Sequence, residues 1–143
     1  MIKKYTAIAM IAVSSLILTG CGDENEDKVI KIMQDEVKMH LDDPDSAKFS
    51  DLKVVKIDEN RDDYIVCGIV DGKDKKGRDY HNEISSVVYY DSKQKKWSGF
   101  VEPRYSFYEG VLNKEFYIYK AACTDGVKAY EKKLHDSLND NKE

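Results

Sequence analysis

Tyr64-Ile65-Val66-Cys67-Gly68-Ile69-Val70 is an almost unbroken apolar run in a chain of which 35% is charged. A strand with aliphatic side chains on both parities has no face to give to water, so this run reads as a central strand covered on both sides. Gly68 within it marks a bulge or a close neighbour. Downstream, Asp71 to Asp79 holds two glycines among many charges and reads as a hairpin loop. Ile84 to Tyr90 returns as a strand, Asp91 to Lys96 turns, Trp97 to Val101 supplies another strand, and Pro103 stops it. Upstream, Leu52 to Ile57 precedes the central run across the polar turn Glu59 to Asp63.

Helices flank these strands. Val29, Met33, Val37 and Leu41 recur every four residues and form one apolar stripe on a helix from about Glu26 to Leu41. Its opposite face mixes acids with lysines, which favours packing on the chain's own sheet over lying on a membrane. Pro44 ends the helix, and Asp43 is placed to cap a short turn with Pro44 at its first position. Thr124 or Asp125 caps a last helix whose inner face is Val127, Tyr130, Leu134 and Leu138. Glu115 to Ala121 is rich in aromatics and reads either as a fifth strand or as a helix. The expectation is an α+β domain: a mostly antiparallel sheet of 4–5 strands, with an N-terminal and a C-terminal helix packed on one face.

The first residues have a different character. Lys3 and Lys4 precede an uncharged, mostly apolar run from Tyr5 to Leu18, closed by Thr19, Gly20 and Cys21. That is the layout of a secretory signal peptide. Leu18-Thr19-Gly20-Cys21 resembles the lipobox of bacterial lipoproteins, in order and in distance from Met1. The resemblance implies cleavage before Cys21 and a diacylglycerol on its sulfur. Two or more acyl chains hold stably where one holds weakly. The alternative is an uncleaved signal anchor, because the uncharged stretch is near the lower limit of about 17 residues for a spanning helix. Residues 1–20 are thus expected to be a signal peptide, 21–27 a lipidated cysteine with an acidic tether, 28–138 one domain and 139–143 a polar tail. An aspartate directly after the acylated cysteine resembles an inner-membrane retention signal. Gly22 stands there instead, which favours the outer membrane, facing the periplasm.

Without Lys3 and Lys4, 21 basic residues face 27 acidic ones, a formal balance of −6. This gives no reason to expect nucleic acid as a partner. Besides Cys21, Cys67 and Cys123 remain. An even pair in a small exported domain reads as a disulfide, with two separate buried thiols as the alternative.

Asp43-Pro44-Asp45-Ser46-Ala47-Lys48-Phe49, followed by Val66-Cys67-Gly68-Ile69-Val70-Asp71-Gly72-Lys73-Asp74, is similar to a pattern in small exported bacterial and phage-associated proteins. Those carry an Asp-Pro-x-Ser-Ala-x-Phe turn, a Val-Cys-Gly strand and a second cysteine near the end, where Cys123 stands here. The likeness departs after the hairpin, at Gly77-Arg78-Asp79-Tyr80-His81. These are domains of unknown function, so the resemblance implies the fold and the disulfide and supplies no activity.

Catalytic patterns come close and fail. Gly72 to Arg78 has glycine spacing like a P-loop but lacks the Lys-Ser/Thr that reaches phosphate and magnesium. Asp58, Asn60 and Asp62 begin like a calcium loop, yet Asp63 stands where glycine is needed and Ile69 where glutamate is needed. Ser50-Asp51-Leu52-Lys53 matches Ser-x-x-Lys without its partner motifs. His40, His81 and His135 are scattered and share no metal-binding spacing. No enzyme, metal or cofactor is expected, and a small hydrolase is the least favoured class.

Aromatics crowd the second half. Trp97, Tyr105, Phe107, Tyr108, Tyr117 and Tyr119 are the candidate binding surface, because exposed Tyr and Trp favour protein or glycan contacts. Core packing with ordinary strand propensity is the competing explanation. The expected function is a non-enzymatic, membrane-anchored envelope lipoprotein that binds a protein partner as an inhibitor or exclusion-type factor. The alternative is a lipoprotein that binds peptidoglycan or another glycan.

Overall fold

In the computed structural model, residues 24–100 and 114–140 are described. Helix α1 (Glu26–Lys38) leads through a 3-10 turn (Pro44–Ser46) into four strands, β1 (Lys48–Lys56), β2 (Asp63–Lys73), β3 (Asp79–Asp91) and β4 (Lys96–Phe100). Helices α2 (Lys114–Thr124) and α3 (Val127–Asp140) follow. The strands form one antiparallel sheet in chain order, β1-β2-β3-β4, as hairpin connections require.

The expected α+β architecture is present, with four strands and helices at both ends of the chain. One detail differs: the helices lie on opposite faces of the sheet. Tyr64, Val66 and Val70 of β2 pack with Val29, Met33, Val37 and Leu41, together with Ile84 and Val88 of β3. The intervening Ile65 packs instead with Ala122 and Cys123 of α2, beside Val55, Cys67 and Val87. Successive strand residues point to opposite faces, so a strand apolar on both parities needs a layer on each side. The α1 stripe seals the first face, and Val29, Met33 and Val37 are completely buried.

The tract Glu115 to Ala121 is helical, part of α2. Its aromatic β-propensity is overridden by burial: Phe116, Ile118, Ala121 and Ala122 all lie against the protein interior. The small Ala121 and Ala122 let the helix backbone approach the sheet closely.

Helix ends also differ from expectation. Asp43 organises its turn through its carbonyl, which accepts from the Ser46 amide and hydroxyl, and not through its carboxylate. Thr124 closes α2 by donating to the Lys120 carbonyl. Gly126, with φ +93°, begins α3, its carbonyl accepting from Ala129 and Tyr130. That left-handed conformation suits glycine. The apolar face expected on α3 is only partly covered. Tyr130 packs near Tyr119 with ring centroids 6.5 Å apart, whereas Leu138 is 59% exposed. The reason is that α3 rests chiefly on α2, not on the sheet.

Ser86 is buried on the α1 face opposite Val66, and its hydroxyl has no hydrogen-bond partner among the described residues. A buried unsatisfied polar group costs about 1–3 kcal/mol. Ser86→Ala is therefore expected to stabilise the domain by about 1 kcal/mol; a lower denaturation midpoint in urea contradicts this.

Candidate functional site

The most built-up surface feature surrounds the disulfide. Cys67 on β2 and Cys123 on α2 are bonded across 56 residues, with Cα atoms 6.4 Å apart. This bears out the pairing expected from the sequence. The bridge fixes α2 onto the sheet face opposite α1.

Beside it β1 breaks register. Ser50 pairs with Ile69 and Lys53 with Cys67, so Asp51 and Leu52 stand against Gly68 alone. Asp51 adopts φ 50°, the left-handed region that Asp tolerates better than most residues. Leu52 folds across Gly68: a Cβ there would meet Leu52 Cδ2 at 2.5 Å and the Ser50 carbonyl at 3.1 Å, so Leu52 would have to shift. The bulge and the close neighbour suggested by Gly68 are thus one feature.

The result is a cleft of about 230 Å³. Ile69 and Phe116 give it an apolar wall, next to the disulfide. Asp51, Lys53, Glu83 and Lys120 form its rim. Lys53 Nζ donates to the Cys123 carbonyl, and Lys120 Nζ pairs with Glu83 Oε2 at 2.6 Å. The rim is charge-balanced, with Lys53, Glu83 and Lys120 held in place, and the wall is apolar. Small-molecule sites usually span about 300–1,000 Å³. This cleft is smaller and suits a single apolar side chain of a larger partner. Nothing in the sequence beyond Gly68 pointed to the rim, because three strands and a helix bring it together.

Among the described residues, the aromatic candidates Trp97, Tyr117 and Tyr119 are not brought together. Trp97 lies on the α1 side, half-buried, with ring centroids 5.5 Å from Tyr90 and 6.2 Å from Tyr64 and with Lys28 Nζ 5.4 Å above it. Tyr119 packs on the opposite side among Ile65, Ala122 and Cys123. Tyr117 on α2 is 51% exposed and edge-on to Phe116, the most open of the described candidates. Tyr105, Phe107 and Tyr108 lie outside the described residues, as does Cys21.

The remaining motifs have structural roles. The glycine-spaced stretch Gly72 to Arg78 is the tip of the β2–β3 hairpin, organised by Asp74. Its carboxylate accepts from the amides of Lys76 and Arg78 and from Arg78 Nε, at 2.6–2.9 Å. The backbone bond from Arg78, with help from its guanidinium and the Lys76 amide, outweighs burial and holds the carboxyl below the usual carboxylate range. That clamp is present above the ordinary carboxylate pKa and weakens as falling pH protonates it. The Asp-Pro-x-Ser turn docks on the same hairpin, through Lys73 N–H to Ser46 Oγ at 2.8 Å and Lys75 N–H to Asp42 Oδ2 at 3.3 Å.

Asp58 accepts from the Asn60 amide in an ordinary turn. His81 pairs with Asp71 at 2.6 Å on the surface, and His40 and His135 stand apart from it. Among the described residues no three His, Cys, Asp or Glu side chains converge as a metal site. Among them, too, no helix is long and apolar enough to cross a membrane. No protein-family model matches the chain, and no curated protein or solved structure is significantly similar to it.

Proposed function

We propose that this chain is a lipid-anchored envelope protein that acts without catalysis, its domain binding a protein partner as an inhibitor or exclusion-type factor. Cys21 carries the lipid, and the domain faces the periplasm from the outer membrane. The observation that carries the binding role is the cleft beside the Cys67–Cys123 bridge, with its apolar wall and balanced charged rim. Anchor residues in protein interfaces are large apolar or aromatic side chains seated in such pockets, ringed by contacts that exclude water. Tyr117, exposed on α2 next to Phe116, extends the same surface. The disulfide fits an oxidising compartment, which is where the lipobox-like segment would deliver the chain.

The test is capture of envelope proteins by the intact chain and by an Ile69→Glu/Tyr117→Ala variant. Both side chains are partly or largely exposed, so the variant should fold; an unchanged thermal midpoint checks this. A specific partner should be lost by about tenfold or more, the effect of removing a hot spot. Equal recovery of every captured protein would remove this surface from the account.

A further inference from the structure

The two ends of the sheet differ in what they carry. At one end lie the N-terminus of α1, the β1–β2 turn and the β3–β4 turn. Asn25 Nδ2 donates to the Tyr64 hydroxyl at 3.4 Å, and that hydroxyl reaches Asp62 at 3.5 Å. At the other end, Lys38 from the last turn of α1 sits 6.0 Å above the Phe49 ring, and the Asp42–Ser46 turn is bonded to the β2–β3 hairpin. Helix α1 therefore runs parallel to β2, and the hairpin tip is the far end. Ten residue steps along β2 separate the ends by roughly 33 Å.

Only three residue steps separate Cys21 from Glu24, where the described chain begins. Fully extended they reach about 11 Å. We infer that the turn end of the domain, and not the hairpin end, lies against the phospholipid headgroups. The inference rests on the lipid anchor at Cys21. Surface chemistry agrees with the tether. An open trough at this end is lined by Arg61, Asp62, Tyr89, Asp91 and Lys93, among others. It mixes cations, carboxylates and tyrosines. A strongly basic face would select anionic lipid. A mixed one carries the two signs of charge that a zwitterionic headgroup layer presents. Tyrosine is at home there, with an apolar ring and a polar tip. The hairpin tip then points outward, and the disulfide cleft stands on the flank, clear of the bilayer.

The test places one small fluorophore at Lys93→Cys in the β3–β4 turn, or at Lys76→Cys in the hairpin tip. Both positions are exposed, and labelling without reductant leaves the native disulfide intact. The full-length lipidated protein is put into phosphatidylethanolamine-rich vesicles containing a lipid with a nitroxide on its headgroup. The label at 93 is expected to lose most of its emission and the label at 76 to keep most of it. Equal quenching at both sites, or stronger quenching at 76, overturns the orientation while leaving the anchor standing. Protein that fails to float with the vesicles overturns the anchor itself, and the orientation with it.

Discussion

Replacing both Cys67 and Cys123 with alanine is expected to cost about 4 kcal/mol of stability and to lower the thermal midpoint by roughly 20 °C. The magnitude follows from the length of chain closed by the bridge, 56 residues, whose loss of freedom in the unfolded state the cross-link supplies in advance. The effect should also be local. Helix α2 joins the sheet through Cys123, Ala122 and Phe116, and α3 rests on α2. Hydrogen exchange should therefore show α2 and α3 losing protection first, while the centre of the β2–β3 ladder keeps it. Adding reductant to the native chain should reproduce the drop. An unchanged midpoint after complete reduction would mean that the bridge is incidental to the fold.

The second large effect lies on the other face. Met33 is completely buried under α1, among Val29, Val37, Tyr64 and Val66. Met33→Ala removes a long side chain from a packed interior and is expected to cost about 3 kcal/mol, within the range for such truncations. Met39, six residues later, is 70% exposed, and Met39→Ala should change stability by less than about 0.5 kcal/mol. Urea titration of the two variants compares like with like. Similar losses from both would mean that α1 does not pack as described.

The burial of Met33 was legible in the sequence, because an apolar stripe of period near 3.6 joins positions 29, 33 and 37; that Met39, off the stripe, is exposed was not, since it could have widened the stripe. The strands were legible for a similar reason. The β2 run announced its own burial, and its two-sided apolar character already required a layer on each face. Expecting both helices on one face overlooked that requirement. The identity of Glu115 to Ala121 was not legible. Phe116 and Ile118 alternate as they would in a strand, and only the sheet and the disulfide, both distant in sequence, decide for a helix.

The candidate site was half legible. The cysteine pair could be counted, and Gly68 signalled close packing. The charged rim could not be foreseen, since Asp51, Lys53, Glu83 and Lys120 come to one cleft only through a bulge and a helix packing. Grouping aromatics by position in the chain misled for the same reason: Trp97 and Tyr119 belong to opposite faces of the sheet.

The proposed role requires one cysteine to carry lipid while the other two are bonded to each other. Intact-mass measurement of the chain extracted from envelope, alkylated without reductant, tests both at once. It should find a product beginning at Cys21, heavier by its acyl groups and unlabelled at Cys67 and Cys123. A chain that retains residues 1–20 and carries alkylated thiols would contradict it.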